Sequence, residues 1–230
     1  MVVITQRGYS VAVSDSQDRR AAQKARTRAT IKAVAHEMFA EAGFEPTTIV
    51  DIAAAAGVSV QTVFNHFASK EELFFADRAD WVQGPANAVR TRAPHVAAST
   101  ALRAHLVRTV EDYMRAAADP QTRRMIELLE STPALLAFER SLHEETVALL
   151  TAELRAAWAP AQLAPPMLAD ITAAVWMAGV RSVVLSLRSS TPSAGDEDAI
   201  RAAVALTDRV LGEMENSLFA ATAPLVSRAS

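Results

Sequence analysis

An all-α fold is what this 230-residue chain predicts, and three observations predict it. Glycine occurs only seven times while alanine recurs throughout, a composition that favours helix. Apolar residues return at spacings of three and four in one segment after another, the period of a helix with one buried face. Between those segments no stretch alternates apolar with polar residues as a half-buried strand would, which disfavours an α/β arrangement. Half the residues are apolar, enough for a substantial core in one or two domains.

Residues 1–18 read as a disordered leader; they contain no sustained apolar run or cleavage pattern of a signal peptide. The first helix is expected over 20–42, because Ile31, Val34, Ala35, Met38, Phe39 and Ala42 repeat at three and four, and Gly43 stops it. Thr48 can cap a short second helix to residue 56, with Asp51 completing a capping box. Gly57 can take the left-handed conformation that ends it, Val58 can plug the turn, and Ser59 can cap a third helix over 60–67. Two short helices joined by a tight glycine turn make a helix-turn-helix. Phe44, Ile49, Ile52, Val63 and Phe67 would form its small core, and His36 would sit at a surface or interface.

A bare helix–glycine–helix pattern is common, and an ordinary hairpin with a polar outer face would satisfy it. The outer face of the third helix nevertheless suits a major groove. Gln61 and Asn65 can pair with adenine, Thr62 can reach a base or phosphate, and Val60 or Phe64 can lie on a thymine methyl. A run free of acids, Arg19, Arg20, Lys24, Arg26, Arg28 and Lys32, precedes the motif, so a net charge of only −3 still leaves a local basic patch for phosphates.

The string SVQTVFNHFASKEELF, with GFEPTTIVDIAAAAGV before it, resembles the DNA-binding segment of the TetR family of transcriptional regulators, over roughly residues 20 to 78. The resemblance implies an all-helical, dimeric repressor. An N-terminal three-helix DNA-binding domain would be followed by a larger C-terminal helical domain for ligand binding and dimerisation. It places Ser59, Thr62, His66 and Lys70 at phosphates and Val60, Gln61 and Asn65 at base edges, with Thr48 also on the DNA side. Phe64 stands where the family usually has tyrosine, so a phenolic bond to phosphate is absent. The family's frequent basic residue early in the recognition helix is also missing, because Val60 and Gln61 stand there.

A fourth helix, capped by Ser69 and Glu72, would run through Trp81 to Gln83-Gly84-Pro85, where the composition breaks. The domains are thus expected at 19–82 and 83–230. Further helices are expected near 86–93, 99–118, 121–130, from Pro133 to about residue 158, and over 167–187 and 196–219. Loops would lie at 159–166 and in SSTPSAGD. The last two helices carry apolar stripes wider than one neighbour needs, with Ala178-Gly179 permitting close approach, and are expected to pair with their copies in a homodimer.

Chemistry-bearing motifs are scarce. There is no phosphate loop, no nucleophile elbow, no zinc-binding HExxH and no cysteine. His143-Glu144-Glu145 cannot close on one metal ion, since consecutive helical residues diverge. The reading is therefore of no enzyme, no metal and no cofactor. Large side chains, Trp81, His105, Tyr113, Phe138, Trp176 and Met177, could line an apolar cavity for a small organic effector, with His105 and Tyr113 as polar contacts. The partners expected are double-stranded operator DNA, the effector and a second copy. No membrane partner is expected, because the apolar run 171–180 is too short to span a bilayer, and the location expected is cytoplasmic. The alternative is a helical small-molecule-binding protein or enzyme with a vestigial DNA-binding domain.

Overall fold

A computed structural model describes residues 7–159, 166–190 and 196–226, which form ten helices and no strand. The all-α expectation holds among these residues. The chain divides into two compact units, Met1–Ala76 and Asp77–Ser230.

The first unit contains α1 (Arg7–Ala42), α2 (Ile49–Ala55), α3 (Val60–His66) and α4 (Lys70–Phe74). The leader expected over 1–18 is partly outside the described residues, and from Arg7 onward the backbone is already α1. Nothing between Ser10 and Gly43 is a glycine or proline, so the helix has no stop there. Ile31, Ala35 and Phe39, four apart, are buried on one face of α1. Gly43, at φ +91°, ends the helix and donates its N–H to Phe39 O at 3.0 Å.

Phe39, Phe44 and Phe74 form a triangle with ring centroids 5.2–5.9 Å apart. Ile52, Val63, Phe67 and Leu73 complete that core, whereas Ile49 is only half-buried. The expected fourth helix is in fact two. α4 stops at Phe74, where its last two carbonyls meet a side chain of α1: His36 Nε2 lies 3.2 Å from Leu73 O and 3.1 Å from Phe74 O, while Arg28 Nη2 donates to Ala76 O in the turn that follows, at 3.4 Å. His36 is thus a brace between α1 and the end of α4, not a surface histidine.

The second unit contains α5 (Arg78–Arg90), α6 (Ala98–Ala116), α7 (Pro120–Ser131), α8 (Pro133–Trp158), α9 (Pro166–Ser190) and α10 (Glu197–Val226). Gln83-Gly84-Pro85, read as an interdomain break, lies inside α5. Its glycine serves packing: a Cβ on Gly84 would come 2.7 Å from His105 Nε2 on α6. Pro85 is buried beside Val82, Ala86 and Val89, and this burial offsets its missing N–H. Pro120 and Pro133 stand in first turns, where a missing N–H costs nothing, and Asp119 caps α7 by accepting from Thr122 N at 2.8 Å.

α5 packs on α6 and α8, α9 on α8, and α10 on α6. Val89, Leu102, Leu106, Leu150, Leu154 and Trp176 fill the shared core. Of the two loops expected late in the chain, 160–165 and 191–195 lie outside the described residues. The stretch Met167–Arg188 is, by length and composition, long and apolar enough to cross a membrane, unlike the shorter run read from the sequence. Ala173, Trp176, Met177 and Val180 on it are buried in the unit's core, which is reason enough for its hydropathy.

Candidate nucleic-acid interface

The turn that positions α3 is built from local chemistry. Thr48 caps α2 reciprocally with Asp51: Asp51 N donates to Thr48 Oγ1 at 3.2 Å, and Thr48 N to Asp51 Oδ2 at 3.2 Å. At the other end Gly57, with φ +66°, lets its own N–H reach Ala54 O and that of Val58 reach Ala53 O at 3.0 Å. This is the paired 5→2 and 6→1 closure that a left-handed residue permits. Ser59 then caps α3, accepting from Thr62 N at 3.0 Å, while the two hydroxyls meet at 2.8 Å. Thr48, Ser59 and Thr62 are therefore engaged with the backbone or with each other, and Ser59 and Thr62 orient the first turn of α3.

Val63 faces inward and is fully buried; Val60, Gln61, Phe64 and Asn65 face outward. These four sit at i, i+1, i+4 and i+5, one continuous strip of helix. Gln61 Nε2 donates to Asn65 Oδ1 at 3.1 Å, which aligns the two amides and leaves Gln61 Oε1 and the Asn65 amide hydrogens for another partner. Phe64 is 47% exposed, which would be a poor use of an aromatic ring on a surface that meets only water.

α3 is braced from behind by α1. Arg28 donates through Nη1 to His66 O at the helix C-terminus, where a cation also complements the dipole, and its guanidinium lies 4.0 Å from the centroid of Phe67. Burial, with Lys24 and then Arg28 nearby, holds His66 below the usual histidine range. Its Nδ1 is buried without a hydrogen bond, so a contact to phosphate would have to use Nε2. Arg19, Arg20, Lys24 and Arg26 are exposed, and Arg28 and Lys32 half-buried.

Lys70, expected at a phosphate, has a different duty. Its Nζ donates to Phe44 O at 2.8 Å, Thr47 O at 3.2 Å and Glu45 O at 3.4 Å, and lies 4.2 Å from the Phe44 ring centroid. Three donors are spent on the loop between α1 and α2. Glu72 likewise reaches one residue further back than expected, accepting from Ala68 N at 2.7 Å. Lys70→Ala should therefore destabilise the N-terminal unit by about 1–3 kcal/mol in urea unfolding. The salt dependence of DNA binding should not change with it, whereas Lys24→Ala should reduce that slope by about one unit. A slope that falls for Lys70→Ala with stability unmoved would restore the phosphate role.

The residues expected to line a ligand cavity stand on α5, α6, α8 and α9. Trp176 and Met177 are buried in the core of the second unit, 1% and 5% exposed. Trp81 and Phe138 are half-buried on α5 and α8. His105 packs against Gly84, and burial foremost, with Arg108 nearby, lowers its pKa. Tyr113, eight residues along α6, instead accepts from Arg188 Nε at 3.3 Å. Arg188 and its partner Glu139, which sequence reasoning missed, form a buried ion pair at 2.6 Å. Burial is the exception for both residue types, so nothing in the sequence marks either as internal.

A glycine-turned pair of short helices with an outward polar strip on the second defines the helix-turn-helix class. The chain matches, over residues 31–76, the sequence model of the bacterial regulatory proteins, tetR family. It is 35% identical to the HTH-type transcriptional regulator TcmR of Streptomyces glaucescens over 116 residues, 49% of this chain and 51% of that protein. It is 45% identical to the HTH-type transcriptional repressor KstR2 of Mycobacterium tuberculosis over 56 residues, 24% of this chain and 28% of that one. The chain thus spans about half or less of the length of these curated relatives. Among solved structures, the SmeT–triclosan complex superposes with a TM-score of 0.53 at 22% identity, covering 79% of this chain and 89% of that one, a likeness of fold.

Proposed function

We propose that this protein is a dimeric, ligand-responsive transcriptional repressor that binds a palindromic operator through α3. What carries the reading is the exposed strip of Val60, Gln61, Phe64 and Asn65 on a helix held from behind by Arg28. Gln61 and Asn65 would read adenine, and Phe64 and Val60 would lie on thymine methyls. Exposed cations of α1, with Ser59, Thr62 and the Nε2 of His66, would meet phosphates. The repressor name of KstR2 supports the sense of regulation.

A second copy would cover the apolar strip left outside on the last two helices. Met167, Ile171, Val175 and Leu185 on α9 and Leu206 and Val210 on α10 are 39–65% exposed, whereas Thr207 and Leu211 of α10 face inward. Such strips are costly in water and suit an isologous four-helix contact. The two recognition helices would then enter successive major grooves about 34 Å apart. The triclosan complex of SmeT, a protein of like fold, supports a small-molecule effector, whose site we place in the C-terminal unit. An effector would act by favouring a conformation with the wrong separation, and shifting that equilibrium from 1:99 to 99:1 takes about 10⁴-fold preferential binding.

The test is a gel shift with the DNA flanking the protein's own gene, beside light scattering of the purified chain. A retarded complex and the mass of a dimer are expected. Gln61→Ala should then cost about 1–3 kcal/mol on the operator and relax choice at one base pair, with random DNA unaffected. Equal losses on operator and random DNA, or a monomer at micromolar concentration, would contradict the reading.

A further inference from the structure

Three helices of the C-terminal unit bring together a charged cluster that the fold itself does not need. Arg188 of α9 and Glu139 of α8 are each only 8% exposed, and Arg188 Nη2 donates to Glu139 Oε1 at 2.6 Å. Tyr113 of α6 accepts from Arg188 Nε at 3.3 Å, with the guanidinium 5.9 Å from the centroid of its ring. Two atoms of the pair remain buried without any hydrogen bond, Glu139 Oε2 and Arg188 Nη1. A buried ion pair seldom stabilises a fold more than apolar side chains of the same volume would, and each unsatisfied polar atom adds a further cost. An acceptor and a donor left unpaired on the two members of one ion pair call for a further partner.

The chemistry of the missing partner follows from the inventory. Nη1 calls for an acceptor and Oε2 for a donor. Tyr113 keeps its proton, since burial pushes the phenol above its usual range, so its O–H is a second donor. The guanidinium and carboxylate already cancel, and Glu130 lies close enough to act on Tyr113, so an anionic ligand would bring in an unbalanced charge. An ammonium group would find no use for Nη1. We propose that Tyr113, Glu139 and Arg188 form the polar end of the effector site and take a neutral organic molecule bearing a carbonyl and a neighbouring hydroxyl. The carbonyl accepts from Arg188 Nη1 and the hydroxyl donates to Glu139 Oε2. This rests on the ligand-binding reading of the C-terminal unit and deepens it.

Benzoin is the probe, a neutral α-hydroxyketone with apolar rings. Deoxybenzoin lacks its hydroxyl, and diphenylacetate replaces the pair of groups by an anion. Titrated calorimetrically into the full chain, benzoin should bind at least about tenfold more tightly than either. Glu139→Gln keeps an amide oxygen on Arg188 and puts an NH₂ where Oε2 stood, so it should abolish the tenfold margin while deoxybenzoin affinity stays within about twofold. Tyr113→Phe, which leaves the ion pair whole, should weaken benzoin less than Glu139→Gln does. Equal binding of benzoin and deoxybenzoin, tighter binding of diphenylacetate, no binding of any of the three, or a margin that survives Glu139→Gln would each overturn the proposal. Operator binding measured on the same preparation keeps the two readings apart: its absence counts against the regulator, and the benzoin margin alone decides this site.

Discussion

Arg188→Met should destabilise the C-terminal unit by about 3–5 kcal/mol, because it leaves the Glu139 carboxylate buried with no counter-charge. The geometry leaves that carboxylate little escape. Glu139 is 8% exposed, its Oε1 has Arg188 Nη2 as partner, and its Oε2 has none. Methionine matches the aliphatic stem of arginine, so most of the loss reports charge and hydrogen bonding more than volume. The double variant Glu139→Leu/Arg188→Met provides the control. With both charges gone it should recover to within about 1 kcal/mol of the natural chain, or exceed it. Urea unfolding followed by circular dichroism measures both. A single variant that loses less than about 1 kcal/mol would mean that water reaches the pair freely.

Trp176→Ala should cost a similar amount, about 3–5 kcal/mol. Trp176 is the largest of the fully buried side chains and packs in the core with Leu102, Leu106, Leu150 and Leu154. Removing an indole from a close-packed interior loses its transfer free energy and leaves a cavity that the surrounding helices can only partly close. Trp176→Phe should retain most of the stability, because the ring fills much of the space. Thermal or urea unfolding of the two variants decides the matter. If Trp176→Ala were nearly neutral, the side chain would belong to the wall of an open cavity, the place its size alone suggested.

These two residues also show where sequence reading stops. Trp176 was legible as a large apolar side chain on a long helix, but core and cavity wall ask for the same residue types. Glu139 and Arg188 were illegible for the opposite reason: burial is the exception for both types. In α5 the Gly-Pro pair was read by its local meaning as a breaker. The deciding contact was His105 on another helix, against which only a glycine fits. Lys70 followed the same pattern. An exposed cation after a recognition helix is a reasonable phosphate ligand until the carbonyls of Phe44, Glu45 and Thr47 are found within its reach.

The amino-acid order by itself determined the all-helical class, the glycine turn at Gly57, the caps at Thr48, Ser59 and Ser69, and the outward strip of Gln61 and Asn65. Each depends on residues within one or two turns of one another, where capping, φ preference and helical period operate. Only the tertiary structure decided the duties of Arg28, Lys70 and Arg188, whose partners lie 38, 26 and 49 residues away in the chain. A long cation has several acceptors it could satisfy, and no local pattern ranks them. The choice among them is made when the helices pack and water is excluded.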